Sequence, residues 1–124
     1  DDPDLKETLS ELVKNRHDQL FIGELDCKLV YRKGISKQLK DYTKTAPPHV
    51  RAAKMLDEFD GRVIRYVLTI VGPEPIQKRS GAKFDYDHYS EKQLAPIADM
   101  VLRFFDMDFH SITRNQNQLN LFES

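Results

Sequence analysis

The segment "RVIRYVLTIVG", residues 62–72, limits the folds open to this chain more than any other. It is rich in Val, Ile, Thr and Tyr, and Gly61 and Gly72 bound it. Such residues favour a pleated, half-buried strand, and a strand needs a neighbour for its backbone donors and acceptors. The neighbour expected is "KLVYRKG", residues 28–34, where Leu29 and Tyr31 alternate with Val30 and Arg32 before Gly34 ends the run.

The remainder reads as helix and loop. Leu5, Leu9, Leu12, Val13 and Leu20 recur at helical spacing, with Asp2 as a natural cap, Pro3 in the first turn and Gly23 as a stop. They predict a helix over about residues 3–22, with His17 on its polar face. "ISKQLKDY" has the Leu39 and Tyr42 spacing of two helical turns. Pro47 and Pro48 open a further helix, capped by Thr45 or Ala46 and continued by Val50, Ala53, Leu56 and Phe59. "GPEPIQKRSGAKFDYD" reads as a proline- and glycine-punctuated loop. A last long helix over residues 88–105 carries Leu94, Ile97, Ala98, Val101, Leu102 and Phe105, with Pro96 bending its axis. The expected fold is α+β and mainly helical: three to four helices with a small antiparallel strand pair, in one domain over 1–112 followed by a tail.

At 124 residues the chain is one domain's worth, and 40% hydrophobic with 31% charged residues is ordinary for a soluble globular protein. No apolar run is long enough for a membrane span, and the acidic start lacks signal-peptide character. A single cysteine, Cys27, excludes an internal disulfide and a cysteine metal site, and suits a reducing cytoplasm. Because the first residue is not Met, the chain is expected to be an excised piece of something longer.

Net charge is −1, too low for a uniformly basic nucleic-acid binder, but the charge is unevenly placed. From Lys28 to Lys54 eight Lys/Arg face one acid, Asp41, a local +7, and the rest of the chain carries −8. A basic stretch in an acidic setting directs a polyanion to one place; the structural alternative is a solvated charged loop.

No converging catalytic set is evident. Asp85, Asp87 and His88 cluster in "DYDHY", and Asp106, Asp108 and His110 alternate in "FDMDFH". Neither has the ligand count of a closed metal site, and the helix-cap and helix-end readings are stronger. No metal or cofactor site is therefore assigned.

The closing residues "NQNQLNLFES" place Leu119, Leu121 and Phe122 in an otherwise polar tail. Either the tail packs on its own domain or a partner buries it.

In order along the chain, "LVYRKGISKQLKDY", "PPHVRAAK", "IRYVLTIVGPEPI" and "YDHYSEKQLAPIADMVLRFF" resemble the C-terminal thumb region of family B DNA polymerases. The resemblance runs from about Gly23 to Phe122. It implies a segment that grips the freshly made primer–template duplex through phosphates, without sequence preference. The residues implied are Tyr31, Arg32 and Lys33, with Lys37, Tyr42, His49 and Arg51 nearby; Tyr31 and Tyr42 have core packing as the alternative. His49 and Arg51 fall in the first turn of their expected helix. Gly34 departs from the arginine of the family's "YRKRL", which removes one contact from that loop.

Two-metal catalysis in this family belongs to palm motifs written DxxSLYP and DTDS, and neither occurs here. Mg2+ is accordingly implied for the palm of a parent polymerase, a bacterial cytoplasmic and nucleoid-associated enzyme, and the fragment alone is expected to be inactive. Gln118, Leu119, Leu121 and Phe122 resemble the QLxLF peptide by which bacterial polymerases dock on the sliding clamp, on a polar leash from about Thr113. Such a peptide usually ends on its Phe, whereas Glu123 and Ser124 follow here. The rival reading is a protein–protein adaptor with no DNA contact.

Overall fold

A computed structural model describes residues 2–42, 46–59 and 61–114. The helices are α1 (Asp2–Phe21), α2 (Pro48–Lys54), α3 (Tyr86–Tyr89) and α4 (Ala95–Leu102), and the strands are β1 (Tyr31–Gly34), β2 (Val63–Thr69) and β3 (Gly72–Pro75). Residues 109–114 form one more helical stretch. The expected mainly helical α+β fold is the one observed, with three strands in place of two. The chain divides into two compact units, Asp1–Leu25 with Tyr86–Ser124, and Asp26–Asp85.

The second unit is built on an antiparallel sheet ordered β1-β2-β3. The extra strand, β3, lies in the sequence expected to be loop. Two prolines in "GPEP" argue against a strand, yet the register removes the objection. Thr69 pairs with Gly72 and Val67 with Glu74, and Ile76 N–H donates to Arg65 O. Bonded pairs alternate along an antiparallel ladder, so Pro73 and Pro75 fall between them, where the missing N–H breaks no bond to β2.

A two-residue tip, Ile70–Val71, joins β2 to β3, and the Thr69 hydroxyl both accepts from Val71 N–H (3.2 Å) and donates to Gly72 O (2.8 Å). α2 lies across one face of the sheet. Ala52 and Ala53 meet Ile64 and Tyr66 in the core there, edged by Tyr31, Ile35, Leu39, Leu56 and Phe59. The small alanines let the helix approach the sheet closely. Pro47 itself occupies the N-cap position of α2, one residue beyond Ala46, and the helix stops at Lys54 rather than near Phe59. "ISKQLKDY" makes only a single 3-10 turn, Leu39–Asp41, instead of two helical turns.

In the first unit α1 begins on Asp2 itself and ends in a Schellman motif. Gly23 is left-handed (φ 88°), its N–H donates to Leu20 O and Glu24 N–H to Gln19 O. The last long helix is interrupted by a π-helical segment, Ser90–Leu94, in which Ala95 N–H reaches five residues back to Ser90 O. This wider turn lies directly before Pro96, which has no N–H of its own to return to the preceding turn. The core joins Ala95, Ala98, Leu102 and Phe109 to Leu9 and Val13 of α1. Leu102 and Phe109 are fully buried, each worth about 1.5–3 kcal/mol of transfer free energy. His17 is the correction here: it is only 1% exposed, against Phe21 and Phe109 with ring centroids 4.7 and 5.7 Å away.

Candidate nucleic-acid interface

The fold sorts charge by unit. Residues 26–85 hold thirteen Lys/Arg against seven Asp/Glu, a net +6, while the other unit holds six against thirteen, a net −7. All seven residues expected to meet DNA lie in the basic unit.

Tyr31 is half-buried and stacks on Tyr66 at 5.4 Å, so its ring contributes to the sheet core. Arg32 and Lys33 follow it on β1 and are exposed. Strand alternation sends Lys33 to the α2 face with Tyr31 and sends Arg32 to the opposite face. His49 stands in the first turn of α2, where burial, then the nearby Lys33 charge, push its imidazole below the ordinary 6.5. Near neutral pH it is therefore an uncharged group beside cations.

Arg51 is the middle residue of the seven-residue α2, shared between its first and last turns. Its guanidinium sits at the hairpin: a Cβ added to Gly72 would come 3.4 Å from Nη2. Lys37 caps the Tyr42 ring, with Nζ 5.3 Å from the centroid. The Tyr42 hydroxyl is 3.5 Å from Ser36 Oγ, and that contact leads the groups lowering the phenol's pKa. Lys54 Nζ donates to Tyr42 O at 2.8 Å, tying this segment to α2.

An open groove of 740 Å³ runs along Ile35–Lys40 and is closed by Phe59, Gly61 and Arg62. Among the described residues its lining bears Lys37, Lys40 and Arg62 and no acidic side chain. Lys40 and Arg62 are absent from the sequence-derived set. Arg62 reaches the groove because Ile35 N–H donates to Arg62 O (2.6 Å), a pairing between residues 27 apart in the chain.

Two members of the Asp106, Asp108 and His110 cluster are drawn into other roles. Asp108 accepts Ser111 N–H at 2.7 Å, capping residues 109–114, and His110 lies 3.4 Å from Glu91. Among the described residues no group of three or more His, Cys, Asp or Glu side chains could hold a metal ion. No described helix is long and apolar enough to cross a membrane. Gln118, Leu119, Leu121 and Phe122 lie outside the described residues. Thr113 and Arg114, where the sequence places the start of the leash, are helical, and Thr113 Oγ1 donates to Phe109 O at 2.9 Å.

No family model matches the chain. It is similar to DNA polymerase II of Escherichia coli (strain K12), with 39% identity in an alignment 121 positions long that covers 89% of this chain. The chain spans only about 15% of that relative's length. The match bears out the family resemblance read from the motifs.

Proposed function

Because the chain is related to the family B DNA polymerases, we propose that it is the C-terminal thumb segment of a DNA polymerase. In this reading its basic unit grips primer–template duplex through the phosphates, and its QLNLF peptide docks on the sliding clamp. Nucleotidyl transfer, with its Mg2+, takes place on the palm of the parent enzyme in the bacterial cytoplasm.

The observation that carries the reading is the concentration of exposed cations in residues 26–85 within a chain of net charge −1. Lysine and arginine neutralise any phosphate alike, as a protein that slides along arbitrary product requires. The rival adaptor treats the same charge as a solubilising surface.

Titration of the 124-residue chain with mixed-sequence duplex, at several salt concentrations, separates the two. Affinity is expected to fall steeply with salt and little with sequence. Replacing Arg32, Lys33 and Arg51 by Ala is expected to flatten the log–log slope by roughly 0.9 for each phosphate no longer neutralised. A flat salt dependence, or a triple variant that binds like the parent, would refute the DNA role.

A further inference from the structure

β1 and β2 pair Tyr31 with Tyr66, Arg32 with Arg65 and Lys33 with Ile64. Arg65 turns its backbone N–H and C=O towards β3, as the bond from Ile76 N–H to Arg65 O records. Arg32 and Arg65 are therefore a non-hydrogen-bonded pair, the closest side-chain approach an antiparallel sheet offers, with Cα atoms about 4.5 Å apart. Both are exposed, on the face opposite α2. Like charges directly opposite one another destabilise a sheet. Nothing among the described residues neutralises them: neither forms an ion pair. Glu74, the carboxylate diagonal to Arg65 on that face, is engaged by Arg79 Nε at 3.0 Å and by Ser80 N–H and Oγ at 3.1 and 2.5 Å.

We infer that Arg32 and Arg65 form one paired-guanidinium site for a single phosphodiester of duplex DNA. The inference rests on the duplex-gripping reading above and adds to it Arg65, which lies on a different strand from the basic run. Two planar forks side by side present several N–H donors to the two non-bridging oxygens of one phosphate. Binding converts a repulsive pair into a bridged one, so neither arginine acts independently of the other.

The test is a double-substitution cycle in the 124-residue chain, reading duplex affinity by fluorescence anisotropy across a salt series. Arg32→Ala and Arg65→Ala are each expected to weaken binding. The double variant should lose less than the product of the two single losses, and its salt slope should fall by about 0.9, one phosphate's worth. Arg65→Gln, which removes the charge but keeps a polar side chain, should behave as Arg65→Ala does. If wild type binds duplex but both Arg65 variants match it, the site is overturned and the DNA reading stands. The same holds if the single losses multiply and the slope falls by about 1.8, the value for two phosphates bound independently. Failure of wild type to bind duplex overturns both. Replacing NaCl by sodium phosphate at equal ionic strength should weaken duplex binding by wild type more than by the double variant, because free phosphate competes for the same pair; an equal effect on both would overturn the site.

Discussion

Glu74 shows how one side chain can hold a loop. It is 2% exposed, pairs with Arg79, and accepts both donors of Ser80, pinning residues 79–80 against β3. Those hydrogen bonds, the Ser80 hydroxyl foremost, hold its carboxyl below the ordinary 4.5. A carboxyl whose pKa is depressed by folding stabilises the native state above the unfolded value and stops doing so as pH falls through the folded one. Glu74→Gln is therefore expected to destabilise the protein at neutral pH by about 1–3 kcal/mol in urea unfolding. Its stability should also change less than the parent's below about pH 4.5, the ordinary carboxyl value. Equal acid sensitivity in the two proteins would show that Glu74 is not the group responsible. Neither Glu74 nor His17 was legible as a buried residue, for different reasons. Glu74 stands in a segment without helical or strand periodicity. His17 continues the Leu9 and Val13 series at four-residue intervals, and counting only aliphatic side chains placed it on the wrong face of α1. Leu5 and Leu12, which did count, are 50% and 49% exposed.

Elements were legible where composition and punctuation agreed. The segment between Gly61 and Gly72 contains the strand β2, and the α1 stripe ends where Gly23 says it should. Gly23→Ala is expected to cost about 1–2 kcal/mol, because a Cβ is disfavoured at its φ of 88° and nothing else supplies the Schellman turn. Chemical denaturation measures this directly; an unchanged midpoint would mean that another terminator holds the end of α1. β3 was missed because its prolines disfavour a strand in general but not on an edge, in register with the gaps between bonds. "ISKQLKDY" was over-read: Leu39 does turn inward beside Ile35, but one hydrogen-bonded turn is enough to place it. The irregularity at Pro96 was legible in position but not in kind, since a π turn leaves no mark on the apolar pattern.

Across the whole molecule, chain order and charge largely coincide. The basic stretch read from Lys28 to Lys54 is completed by Arg62 and Arg65 once β2 lies beside β1, and only strand pairing could bring them there. Of the exposed cations now assigned to the interface, Arg62 and Arg65 are the two that lie outside that run. The proposed duplex-binding and clamp-docking roles fall on separate residues, so they should separate experimentally. Deleting Gln118–Ser124 is expected to abolish clamp binding in calorimetry and to leave duplex affinity within about twofold of the parent, since the deleted stretch carries a single charge, Glu123. Retained clamp binding would reject the peptide's role.

The placement of Pro73 and Pro75 also bears on what one copy of this protein does to another. On the rim of the sheet facing away from β2, the two positions that would carry outward donors are both prolines, leaving carbonyls alone. A strand from another molecule laid along that rim finds no N–H groups, and of the two outward carbonyls Pro75 O already accepts Lys78 N–H, so no ladder can form. The hairpin that exposes Ile70 and Val71 at its tip is thus a poor template for strand-on-strand aggregation.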